Sequence, residues 1–117
     1  MNINEPQTIS LDVLKEKYCK DNEQTPDDVF RRVAKGLATN EKTETQAQWE
    51  EVFYNNMKAG AIGAGRIMSV IGSDVKATAI NCFVQPVGDA ISGYDADGYP
   101  GIYEALRESA ETLRRGG

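Results

Sequence analysis

Apolar positions recur at helical spacing through the first half of the chain. They then give way to a glycine-rich stretch, one alternating apolar run and a final amphipathic segment. Leu11, Leu14 and Tyr18 share one face of a short helix over residues 11 to about 18, with Ser10 placed to cap it. A second helix has a marked start: Thr25 as N-cap, Pro26 at the first helical position, and Asp27 and Asp28 near the positive end of the helix dipole. Val29, Val33 and Leu37, flanked by Phe30, Ala34 and Ala38, form its core stripe, and Asp28, Arg31, Arg32 and Lys35 are expected to face water. A third helix is expected from near Thr43, with Gln46 placed for a capping box and Trp49, Val52, Phe53 and Met57 on its buried side.

After Gly60 the periodicity lapses into Gly60-Ala61-Ile62-Gly63-Ala64-Gly65-Arg66. A dinucleotide-binding loop should follow a strand and open a helix. Here a helix precedes the run and an extended segment is expected after it, so a backbone-packing bend is the better reading. Residues 77–84 read as a strand: Ile80, Cys82 and Val84 alternate with Ala79, Asn81 and Phe83, and both faces are largely apolar, as in a buried strand. Pro86 stops it, a Gly- and Asp-rich loop spans 88–98, and a last helix begins near Pro100. Ile102, Tyr103, Leu106, Ala110 and Leu113 make its stripe, with Glu104 and Arg114–Arg115 matched to its dipole. The pattern predicts a mainly α chain with one principal β-strand, divided into a tail over 1–9, a helical segment over 10–59 and a further region over 60–117.

Composition narrows the function classes. With 117 residues there is room for one domain or part of a larger one. A net charge of −5, with basic residues only in short pairs, argues against a nucleic-acid phosphate binder. The absence of histidine removes imidazole acid–base chemistry and imidazole metal ligands. Cys19 and Cys82 form no paired motif, so no metal site is expected from them. No apolar run approaches the roughly 20 residues of a membrane span. The polar N-terminus lacks the features of a secretory signal, and a cytoplasmic location is expected.

Four features are candidates for chemistry. Cys82 sits mid-strand beside Asn81 and Gln85, and reads either as a reactive thiol or as a buried structural one; sequence physics alone favours the latter. Asp95, Asp97, Gly98 and Glu104 fall at four positions of a calcium loop, but its first position is Gly93 where a carboxylate is needed, and a polar turn accounts for them better. Asp89 follows the strand, where a carboxylate holds a ligand hydroxyl or, more often, caps a turn. Cys19 has no visible activator in sequence.

The run Asn81-Cys82-Phe83-Val84-Gln85-Pro86-Val87-Gly88-Asp89 resembles the first active-site strand of adenosylcobalamin-dependent (class II) ribonucleotide reductases. The resemblance extends over roughly residues 8 to 117: through Val13-Leu14 and Lys17-Tyr18, Thr25-Pro26, Val29-Phe30-Arg31-Arg32-Val33-Ala34, Gly65-Arg66, Pro100-Gly101-Ile102-Tyr103-Glu104-Ala105-Leu106, and Ala110-Glu111-Thr112-Leu113-Arg114-Arg115-Gly116-Gly117.

The resemblance implies an N-terminal helical segment followed by the first part of an α/β reductase barrel. It implies that Cys82 is one of two cysteines that reduce a ribonucleotide, the radical being made with adenosylcobalamin in the complete enzyme, and that Asn81 lies by the substrate. It implies that Asp89 helps form a deoxynucleotide effector site, although Ala90 stands where the family usually has serine. It also implies a homodimer contact through helix 100–115. The second reducing cysteine, the radical cysteine and most of the barrel have no counterpart here. The chain is therefore expected to be inactive alone, to bind no cofactor by itself, and to need the remainder of the reductase polypeptide as partner. The alternatives are a stand-alone module that binds nucleotide or a reductase without catalysis, and a small helical protein with an accidental likeness.

Overall fold

The computed structural model describes residues 6–117, and the chain divides into two compact units, Met1–Val75 and Lys76–Gly117. Among the described residues the first unit is all helix and connector. Helix α1, Thr8–Val13, passes directly into a π-helical turn, Leu14–Tyr18, which the Cys19 N–H closes onto Leu14 O at 2.9 Å. The expected start at Ser10 is corrected: Gln7 is the N-cap, without a side-chain cap, and its carbonyl accepts from the N–H groups of Ser10 and Leu11. Ser10 lies within the first turn, where its own N–H already has a backbone acceptor.

Helix α2, Pro26–Ala38, starts as expected. Thr25 Oγ1 accepts from the Asp28 N–H at 3.2 Å while the Asp28 carboxylate accepts from the Thr25 N–H at 2.9 Å, a reciprocal cap with aspartate in the usual glutamate position. Val29, Val33, Ala34 and Ala38 are buried, and Leu37 and Phe30 pack beside them. The second helical segment opens with a 3₁₀ turn, Thr43–Thr45, before α3, Gln46–Lys58. Gln46 forms no capping box; its amide donates back to Glu41 O at 3.1 Å and Thr39 O at 3.4 Å, tying α3 to the connector from α2.

The buried side of α3 also differs from expectation. Tyr54 and Met57 enter the core, Phe53 lies at its edge, and Trp49 and Val52 remain 39% and 38% exposed. Trp49 stacks on Phe53 at 5.7 Å instead of entering the core. Tyr54 is taken because α2 offers it both polar and cationic partners. Its hydroxyl donates to Asp27 at 2.6 Å, and the Arg31 guanidinium lies 3.4 Å from its ring centre.

The glycine-rich run leads into a short helix α4, Gly65–Val70, which corrects the extended segment expected there. Met68 on α4 closes the core of Val29, Val33, Ala34, Tyr54 and Met57. Arg32, expected to face water, is the larger correction. Its guanidinium donates to Glu23 at 2.8 Å, Tyr18 O at 2.9 Å, Met68 O at 3.0 Å and Ile71 O at 2.5 Å, with only 10% of the side chain exposed. It satisfies carbonyls left unpaired at two helix ends. Nearby, the chain after α4 crosses α2 so closely that a Cβ on Gly36 would stand 2.7 Å from Gly72 N.

The second unit has one helix, α5, Ile102–Arg114, with Gly101 as N-cap and Pro100 before the cap. No strand forms among the described residues; the one β-type pairing found there is an isolated bridge between Tyr94 and Pro100. The strand expected over 77–84 is therefore corrected, and with it the burial of Cys82: Val84 is 95% exposed and Cys82 is also exposed. The reason is physical. A strand exists through its ladder partners, and an alternating apolar run without a neighbouring strand has neither ladder nor buried face. The structure is thus mainly α among the described residues. The apolar stripe of α5 lies where the pattern puts it, but Ile102, Tyr103, Leu106 and Leu113 are exposed and the helix buries Ala105.

Candidate functional site

The residues singled out for chemistry lie mostly in the second unit, on a segment laid along α5. Its beginning is held by Thr78, whose N–H donates to Arg115 O at 3.1 Å and whose hydroxyl donates to Ile80 O at 2.7 Å. Its end is held by the Gln85 amide, which donates to Glu108 at 3.1 Å. Between these ties the Phe83 ring packs over Gly117 beside Thr112. Asn81 and Cys82 sit in this span, both exposed, and Cys82 is a free thiol. The segment is thus positioned at both ends while the thiol between them remains open to solvent.

Beyond it, the 88–103 segment folds back on itself. Gly88 N–H donates to Pro100 O at 2.7 Å, Gly101 N–H to Gly93 O at 2.7 Å, and Ile102 N–H to Ala90 O at 2.9 Å. Asp95 is the organiser. One carboxylate oxygen accepts from the N–H groups of Asp97 at 3.0 Å and Tyr99 at 2.9 Å, and the other from Asp89 N–H at 3.0 Å. The Tyr99 amide foremost, then those of Asp89, Asp97 and Gly98, hold the Asp95 carboxyl below the usual range. This is an Asx-type turn, in which the side chain replaces a backbone acceptor. Gly88 is required beneath it, because a Cβ there would overlap the Asp95 carboxylate. Asp89 stands exposed on this loop, with its N–H used by Asp95. The sequence marks Asp95 as a metal-ligand or turn candidate, and its anchoring of Asp89 emerges only in the fold. The Asp-x-Asp-Gly spacing of an Asx turn was the available signal. Among the described residues no group of three or more acidic or cysteine side chains is arranged to hold a metal ion.

Cys19 lies in the first unit, half-buried at the end of the π-helical turn. Burial first, then the charges of Glu23 and Asp28, push its thiol up, so it is a poor nucleophile at neutral pH. Two of the first unit's surface grooves differ in character. One, of about 380 Å³, is apolar, with Leu11, Leu14, Tyr18, Phe30 and Met68 in its walls. The other, of about 410 Å³, is polar, with Glu23, Asp28, Arg31 and Arg32 around it. No helix among the described residues is long and apolar enough to cross a membrane.

The family model for the ribonucleotide reductase all-alpha domain matches residues 4–75. The chain belongs to this family. The matched range and the first compact unit end at the same residue, Val75, so the reductase all-alpha domain is the α1–α4 unit just described. The segment with Asn81 and Cys82, and the Asp89 loop, follow the reductase domain and lie outside the matched range. No curated protein and no solved structure matches the chain.

Proposed function

We propose that the chain is the N-terminal part of an adenosylcobalamin-dependent ribonucleotide reductase, with Cys82 as one of the two thiols that reduce the ribonucleotide. The observation that carries the reading is the order of parts: a reductase all-alpha domain followed directly by the Asn81-Cys82-Phe83-Val84 segment. An exposed thiol on a segment tied at both ends is what a substrate-facing cysteine needs before the rest of an active site closes around it. Asn81 adjoins the substrate in this reading, and Asp89 on its Asx-braced loop contributes to an effector site for a deoxynucleotide.

The chemistry assigned to Cys82 is a two-electron reduction. Two thiols give up their hydrogens and become a disulfide. The ribose loses its 2′-hydroxyl as water and gains hydrogen at that carbon. Cys19 does not serve as the second thiol, because it lies within the all-alpha domain, ahead of Cys82, and the matching position lies well downstream. The second thiol, the radical-bearing cysteine and the barrel strands come from the rest of the reductase polypeptide, and this chain is inactive without them. Adenosylcobalamin supplies the radical in the complete enzyme. The apolar and polar grooves described for the first unit present no side-chain set suited to it, and no residue of this chain is assigned to hold it. The exposed α5 stripe fits a contact between two copies.

The test uses the complete reductase that contains this segment. Cys82→Ser should abolish deoxynucleotide formation while ribonucleotide binding persists. Undiminished product from the Cys82→Ser enzyme would remove Cys82 from the reaction. It would leave the second reading, a non-catalytic module that binds nucleotide or a reductase.

A further inference from the structure

The second unit holds a cleft of about 300 Å³ between residues 76–78 and the end of α5, lined by Lys76, Ala77, Thr78, Arg114 and Arg115. We propose that this cleft is a binding site for a phosphate-bearing ligand, gripped by Lys76, Arg114 and Arg115. The inference is independent of the role given to Cys82.

The walls are fixed relative to one another, because Thr78 N–H donates to Arg115 O at 3.1 Å. Sequence alone explains Arg114 and Arg115 as cations that offset the negative end of the helix dipole. The structure adds Lys76 across the cleft and shows how the two guanidiniums are arranged. Both converge on one carboxylate. Arg114 reaches Glu111 through Nε at 2.8 Å and Nη2 at 2.6 Å, and Arg115 through Nε at 2.8 Å. Glu111 therefore orders both forks and neutralises only one of them. Lys76 makes no ion pair among the described residues. Among the side chains at the cleft, three cations stand against one ion-paired carboxylate, and the helix end removes only about half a charge more. The excess is positive in a chain whose net charge is −5.

The donors left over suit phosphate. The Nη1 groups of both arginines and the Arg115 Nη2 take no part in the Glu111 contacts. A pre-oriented guanidinium fork beside a lysine point charge matches the tetrahedral oxygens of a phosphate better than a lone carboxylate. The cleft is the size of a small ligand rather than of a peptide or nucleic-acid strand.

The test is a titration of the full 117-residue chain with inorganic pyrophosphate, followed by backbone amide NMR shifts. Saturable shifts confined to 76–78 and the end of α5 are expected. Lys76→Gln, an exposed change that touches no structural contact, should weaken binding about tenfold. Arg107→Gln, whose cation is paired with Glu104 on the same helix, should not. Parallel titration with ADP separates sources of the phosphate: equal affinity assigns recognition to the phosphate group alone, and tighter ADP binding assigns a nucleotide. Shifts that fail to saturate, or equal losses in the two variants, would overturn the site.

Discussion

The Arg32 guanidinium joins three backbone carbonyls and one carboxylate, and these belong to the π-helical turn, the connector after it, and the end of α4. Replacing it by Met keeps much of the length and removes every donor. Glu23, whose side chain is 15% exposed, then loses its countercharge, and Tyr18 O, Met68 O and Ile71 O lose their donor. Arg32→Met should cost about 3 kcal/mol in urea denaturation, because the loss leaves a largely buried charge and several acceptors unpaired. Arg32→Lys should recover only part, since one ammonium cannot span the fork. This role was not legible in sequence: Arg32 follows Arg31 on the polar side of α2, and nothing in the helical period says that chain from elsewhere covers that side. A second residue-scale expectation concerns Glu111. Arg114, then Arg115, lower its carboxyl from 4.5 to about 2. A folded value below the unfolded one means that the stability it contributes is complete above pH 4.5 and is lost as pH falls through about 2. Carboxyl NMR titration should place the Glu111 midpoint near that value, and Arg114→Gln should move it upward.

At the scale of elements, α2 was the most legible because its signals are local. Thr25, Pro26 and Asp28 fix the start within one turn, and Val29, Val33, Ala34 and Ala38 repeat on one face. For α3 the apolar positions were visible but the choice among them was not. Tyr54 displaced Trp49 and Val52 because Asp27 and Arg31 on α2 receive its hydroxyl and ring. The 77–84 run failed as a strand for a non-local reason, since alternation describes a surface that a neighbouring strand must complete. The crossing of α2 by the chain after α4 is equally non-local, and it yields a prediction. A Cβ on Gly36 would meet Gly72 N at 2.7 Å and Gly72 Cα at 2.8 Å, both backbone atoms that cannot rotate away. Gly72 cannot easily yield either, since its φ of +75° holds a conformation that suits glycine. Gly36→Ala should therefore destabilise the first unit by about 2 kcal/mol, although alanine is the better helix former. A thermal melt in which the variant equals or exceeds the parent would show that the crossing has room to relax.

On the scale of the whole molecule, the two units differ in how they satisfy their apolar surface. The reductase all-alpha unit gathers side chains from α2, α3 and α4 into one core, with Leu14 and Tyr18 of the π-helical turn packed against it and Val33 fully enclosed. The second unit has one helix and no strand among the described residues, and its apolar side chains outnumber the surfaces available to cover them. Ile102, Leu106 and Leu113 run along one side of α5, and Leu106 is 64% exposed. The sequence placed this stripe, and the family resemblance set it against a partner helix; amphipathic spacing states that a helix has an apolar face and leaves open what covers it. A contiguous stripe of this kind is covered at lowest cost by its own copy, since one patch used twice about a two-fold axis needs only to be self-complementary. The full chain should then sediment as a concentration-dependent dimer. Leu106→Glu should return it to monomer without loss of helical content, because the new charge would be buried only in the paired state and remains in water otherwise. A chain that stays monomeric at every concentration, with and without the substitution, would show that a second copy does not cover the stripe.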